Sequence, residues 1–171
     1  MARIELEHAS KGWRLGNRTL SHLPPRLITG AYIVNAGVSK LGAGEETAKG
    51  LHGMATAAYP FLGKLDAQTF TRLLGAGELT LGVSLLLPIV PTALAGIGLA
   101  GFSAGLLGLY LRIPGMRQNG SLRPTAQGTP LAKDAWLLGI GLSFVLDTIL
   151  SRGDDTGRPR TRELKQSRSA F

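Results

Sequence analysis

The sequence predicts an all-α protein, a bundle of four transmembrane helices with an interfacial amphipathic helix after the first span. Three observations carry that prediction. Between Leu73 and Leu111 the only charged residue is Glu78, a stretch long enough for two membrane-crossing helices at about 20 apolar residues each. Glycine is abundant, 24 of 171 residues, and much of it lies inside the apolar runs. An internal Gly costs about 1 kcal/mol relative to Ala in a water-exposed helix, but membrane helices use small residues to bring backbones together. Only 18% of residues are charged, and most of them sit in the tails and in two loops.

The first span is read from Arg26 to Leu41, after Pro24-Pro25 as a helix-start signal. It is short. Arg26 and Lys40 stand at its ends, where long side chains would snorkel to opposite interfaces; a helix that lies at the interface without crossing is the competing reading. In residues 45–63, Leu51, Met54, Ala55, Ala58 and Leu62 recur at helical spacing while Glu45, Glu46 and Lys49 fall elsewhere. That pattern predicts an amphipathic surface helix disturbed at Pro60. The second span is read from Thr69 to Leu87 and the third from Thr92 to Leu111, joined through Pro88 and Pro91 as a tight hairpin. Gly101 and Gly105 form a helix-contact spacing within the third, extended by Gly98 and Gly108. A polar loop, 112–130, leads to a fourth span from Leu131 to Leu150, with Trp136 near its start as an interfacial anchor.

This gives three regions: an N-terminal tail over 1–24, a transmembrane domain over 25–150, and a basic tail over 151–171 expected to be disordered. An even number of spans puts both termini on one side. The tails together with Arg26 hold eleven of the 19 Lys and Arg residues, which places them in the cytoplasm; Arg112, Arg117 and Arg123 in the 112–130 loop argue the other way. The charge of +8 flanks apolar segments, so it suits anionic headgroups rather than nucleic acid. With no cysteine, disulfides and thiolate-held metals are excluded. His8, His22 and His52 all lie outside the spans, so no bis-histidine haem site is expected. No nucleophile motif, phosphate loop or dinucleotide fingerprint is present, and no metal or cofactor is evident from the residues.

Glu78 is the most informative residue. It lies about nine residues into its span, hence about 13 Å deep, where a carboxylate is costly unless paired, protonated or wetted. Asn35, on an antiparallel neighbour, reaches a similar depth. Two roles are open for Glu78: a proton-handling or quinone-contacting group in a polar pocket, or a structural carboxyl bonded to Asn35 or a hydroxyl. A second set, Ser39, Lys40, Arg72, Lys133 and Asp134, lies toward the outer helix ends and forms either an anionic-headgroup site or an interfacial ion-pair network. Asp147, near the inner end of the fourth span, is expected to face water or a tail arginine.

Asn35-Ala-Gly-Val-Ser-Lys-Leu41, Gly77-Glu78-Leu-Thr-Leu-Gly82 and Ala132-Lys-Asp-Ala-Trp-Leu-Leu-Gly139 together resemble the DoxX family of small bacterial four-helix membrane proteins. The resemblance covers residues 26–150. It matches Glu78 to the family's acidic residue in the second helix, Lys40 to its basic residue closing the first, and Lys133-Asp134 to its pair opening the last. It implies a multi-pass protein of the bacterial plasma membrane, an accessory subunit of a quinone-linked redox complex, with a redox enzyme or a second copy as partner and a quinone as ligand. An oxidoreductase subunit such as the small subunit of a thiosulfate:quinone oxidoreductase, a small-molecule transporter, and a scaffold recruiting a cytoplasmic partner through its basic tails are the alternatives. On these readings Glu78, Asn35, Lys40, Arg72 and Asp134 are the candidate ligand-binding residues.

Overall fold

The computed structural model describes the backbone of residues 2–156 and the side chains of residues 21–150. The fold is all-α. Its elements are α1 (Ala2–Leu41), α2 (Glu45–Ala58), a 3-10 turn (Pro60–Lys64), α3 (Ala67–Leu86), α4 (Thr92–Arg112), the single turn α5 (Thr129–Ala132) and α6 (Asp134–Thr156). An isolated antiparallel bridge joins Arg117 to Pro124 in the loop before α5.

The first helix differs from the sequence expectation. It does not begin at Pro24-Pro25 but runs through them, so most of the segment read as a tail is helical. Residues 2–23 contain no proline and are rich in Glu, Leu, Arg and Ala, all good helix formers. Each proline removes one backbone N–H bond. Just beyond them, the Thr29 hydroxyl bonds back to the Pro25 carbonyl. The disorder expected over 151–171 falls largely outside the described residues, although α6 continues to Thr156.

Two tight helix pairs make the bundle, α1 with α3 and α4 with α6. Glycine permits both. A Cβ on Gly37 would lie 2.7 Å from Gly75 O and from Leu79 N, and one on Gly82 would lie 2.7 Å from Val34 N. Gly30 meets Gly82 and Gly37 meets Gly75, so α1 and α3 are antiparallel. In the second pair a Cβ on Gly96 would sit 2.8 Å from Gly141 O, and one on Gly141 2.7 Å from Ala100 N. The helix-contact role expected of Gly101 and Gly105 is not what the fold uses: a methyl group on either would meet nothing within 4 Å. Gly98 instead faces Leu81 of α3, and Gly108 lies under the Tyr59 hydroxyl. The two pairs close on a core of Ile33, Leu85, Ala95, Leu99 and Phe144.

Arg26 also departs from its expected place. It does not snorkel outward but is buried, 6% exposed. Its Nε donates to Leu85 O at 2.8 Å, its Nη2 to Leu87 O at 2.9 Å and Ser84 O at 3.0 Å, and its Nη1 to Thr92 Oγ1 at 3.1 Å. Both Nη atoms also reach Val90 O at 3.2 Å. The last carbonyls of a helix have no partner within it and carry partial negative charge. The planar fork of Arg26 satisfies them and ties α1 to the α3–α4 turn.

At the other end, Asp66 caps α3, its carboxylate accepting from Thr69 N at 2.9 Å. Hydrogen bonds from the Thr69 side chain, then from its backbone, hold the Asp66 carboxyl below the usual carboxylate range. The cap therefore contributes above the ordinary aspartate pKa and is lost as pH falls through the lowered value.

Of the described helices, α4 is the one long and apolar enough to cross a membrane by length and composition. Large apolar side chains also point outward from the other three long helices, among them Ile28 and Tyr32 on α1, Leu73 on α3, and Leu146 and Ile149 on α6.

In detergent, Gly37→Ala should cost about 1–3 kcal/mol by overpacking, read as a lowered thermal midpoint, whereas Gly101→Ala should be neutral or stabilising by up to about 1 kcal/mol. Arg26→Met should cost about 3 kcal/mol, and Arg26→Lys should recover only part of it, because an ammonium cannot span the same set of carbonyls. Equal stability of Arg26→Lys and wild type in chemical denaturation would contradict the capping role.

Candidate ligand-binding cavity

The close approach at Gly37 and Gly75 decides what happens next along both helices. Gly37 faces Glu78 Cβ and Gly75 faces Lys40 Cβ, each within about 3 Å of where a methyl would stand. Lys40 therefore turns inward rather than to the outer interface. Its Nζ lies 2.8 Å from Glu78 Oε2, with the side chains 20% and 5% exposed. The ammonium approaches that oxygen out of hydrogen-bond alignment. Among the described residues Glu78 Oε2 and Thr71 Oγ1 are the buried side-chain oxygens without a hydrogen bond, and of those two residues only Glu78 lines the cavity described next.

That cavity, about 490 Å³, lies between α1, α2, α3 and α4 and the start of α6. Its walls are mostly apolar: Ile33 and Ala36 from α1, Phe70 and Leu74 from α3, Phe102 and Leu106 from α4, and Leu137 from α6. Gly101 and Gly105 line it too, so their missing side chains leave room for the cavity. The apolar face of α2, expected to lie on a membrane surface, roofs this space through Leu51, Met54 and Ala55, with Glu45, Glu46 and Lys49 on the exposed side.

Tyr59 follows α2 and fixes the roof to α4. Its hydroxyl donates to Gly105 O at 2.9 Å. Arg112 lies over its ring at 4.8 Å from the centroid and donates to Ala58 O, a cation–π arrangement. Below the roof, His52 Nε2 is 3.1 Å from Leu62 O, and its ring packs on Phe70.

The cavity lining carries three charged residues: Lys40, Glu78 and Asp134. Asp134 opens α6, is partly buried, and lies near enough to Glu78 for the two charges to act on each other. Its side chain has no hydrogen bond or ion pair among the described residues.

Three of the five sequence-expected residues thus line one site. Asn35 and Arg72 do not; both are exposed. At about 100° per residue, Asn35 is turned about 200° from Gly37, the residue that meets α3. Arg72 is turned about 120° from Glu78 by the same arithmetic. The Asn35 carbonyl accepts from the Ser39 hydroxyl at 2.9 Å, and the bond expected between Glu78 and the Asn35 side chain is replaced by the ion pair with Lys40. Ser39 and Lys133 are exposed as well. Asp147, expected to face water or a tail arginine, has its Oδ2 3.4 Å from His22 Nε2, whose ring packs on Phe144; the tail side chains lie outside the described residues.

The residues that sequence reasoning missed are the aromatic walls, Tyr59, Phe70 and Phe102. An aromatic residue directly before Pro60, at the end of an amphipathic segment, is the one available signal; the other two look like ordinary apolar positions. A second hollow, about 590 Å³, lies in the polar loop around Arg117–Leu122. It holds no buried titratable group. Among the described residues no three His, Asp or Glu side chains converge to hold a metal.

No protein-family model matches the chain, and neither does any characterised protein or solved structure.

Breaking the ion pair from one side should be worse than removing it. Lys40→Met is expected to cost about 3–5 kcal/mol, because it strands a buried carboxylate. The Lys40→Met, Glu78→Gln double variant should regain most of that. A double-mutant cycle in chemical denaturation with no coupling between the two positions would contradict the pairing.

Proposed function

We propose that the protein is a four-span membrane protein of the DoxX type that holds a small amphipathic molecule inside its bundle, as an accessory, binding subunit rather than a catalyst. The observation that carries this is the cavity, with apolar and aromatic walls over most of its surface and charge confined to Lys40, Glu78 and Asp134. Pockets for small molecules combine apolar walls with a few polar groups that fix orientation.

Membrane placement is supported by the apolar length of α4 and by the outward-facing apolar side chains on its three long neighbours. Four crossings put both termini on one side, and the Lys and Arg excess in the tails favours the cytoplasm. With α2 at the outer interface, its charged edge faces headgroups while its apolar face covers the ligand.

A quinone, the ligand that the DoxX resemblance suggests, fits these walls but not the polar head. Its carbonyls accept hydrogen bonds and donate none. The charged residues offer one donor, Lys40, already beside Glu78, against two carboxylates that only accept when ionised. A redox enzyme or a second copy is the partner that the same resemblance suggests.

Mass spectrometry of protein purified in mild detergent checks the binding reading. Wild type should retain a small molecule that Glu78→Gln retains at least about fivefold less; if both are equally empty, the reading fails. The same preparation shows whether a protein copurifies. Reporter fusions at each terminus should both report the cytoplasm, and an external C-terminus would overturn the four-span topology.

A further inference from the structure

We infer that the polar head of the bound molecule is a protonated amine, held between Asp134 and Glu78 with its apolar body against Phe70 and Phe102. The inference rests on the reading that the cavity holds an amphipathic molecule, and it specifies which kind.

Charge within the cavity is out of balance. The lining residues carry one cation and two carboxylates. Lys40 lies against Glu78 at 2.8 Å, which leaves Asp134 without a counter-ion. The nearby cation Arg112 is engaged elsewhere, stacked on Tyr59 and bonded to Ala58 O, and it is not part of the lining. Arg72 and Lys133 are exposed and also outside it. A second observation points the same way. Glu78 Oε2 is buried and has no hydrogen-bond partner, although it belongs to a residue lining the cavity. Beside a poorly aligned ammonium, that oxygen can still accept a hydrogen bond from another donor, and in a site of low polarity an uncompensated carboxylate such as Asp134 is costly.

An ammonium-type head meets both demands, because it brings a positive charge and N–H donors together. The walls suit the remainder of such a molecule. Phe70, Phe102 and the aliphatic side chains of the lining accept an alkyl or ring body. A neutral head without donors leaves Asp134 unmatched, and an anionic head would meet two carboxylates.

The test compares decylamine, whose protonated head carries three N–H donors, with decyl alcohol and a short-chain quinone, added to the purified full-length protein in a non-ionic detergent. The thermal midpoint is followed against ligand concentration. The amine should bind wild type at least about tenfold tighter than either neutral molecule. Asp134→Asn, a partly buried position at the first turn of α6 that leaves the Lys40–Glu78 pair in place, should remove that advantage and leave the neutral affinities unchanged. If alcohol or quinone binds wild type as tightly as the amine, or if Asp134→Asn leaves the amine affinity unaltered, the amine inference is overturned while the cavity remains a binding site. If none of the three binds wild type and no molecule is retained on purification, the binding reading falls with it.

Discussion

At Gly37 and Gly75 the backbones of α1 and α3 approach until a methyl group no longer fits, and the rest of the bundle is arranged around that contact. A looser crossing would carry Lys40 away from Glu78 and leave a carboxylate inside an apolar bundle with no cation to meet it. The glycines and the ion pair are therefore one device. The first sets a separation that lets the second form, and the second offsets the cost of placing an acid at mid-helix. The partner pair, α4 with α6, closes in the same manner through Gly96 and Gly141. In a bilayer, where lipid tails are as apolar as the side chains, such packing is a main source of helix association.

The cavity comes from what these two pairs do not share. Within each pair the helices are too close to leave space. Between the pairs, Gly101 and Gly105 withhold side chains, and α2 lies across the gap. The same residue type thus closes one interface and opens another, and its effect depends only on whether a backbone stands opposite. Tyr59 gives the roof a fixed position by reaching Gly105 O, so the wall that encloses the cavity also takes its anchor from it.

The helical character and most of the helix limits were legible in the sequence, because long apolar runs broken by Pro88, Pro91 and the Pro- and Gly-rich loop leave few alternatives. The burial of Glu78 was legible for a related reason, as a lone charge in a run without others. Its partner was not. Depth along the helix pointed to Asn35, but partnership depends also on rotation about the axis, and only the Gly37–Gly75 contact fixes that rotation. Arg72 failed for the same cause. Gly101 and Gly105 misled because a small-residue spacing marks a surface that permits close approach, without saying that a helix takes it. The inward turn of Arg26 was hidden because its acceptors are backbone carbonyls, which no residue pattern reveals.

Arg26 also has a history in time. The carbonyls it binds belong to residues about sixty positions further along the chain. At a synthesis rate of about 5–20 residues per second, several seconds pass before they exist. Through that interval the guanidinium must find other partners for its hydrogen bonds. The place that buries it is complete only once the turn between the third and fourth helices has been made.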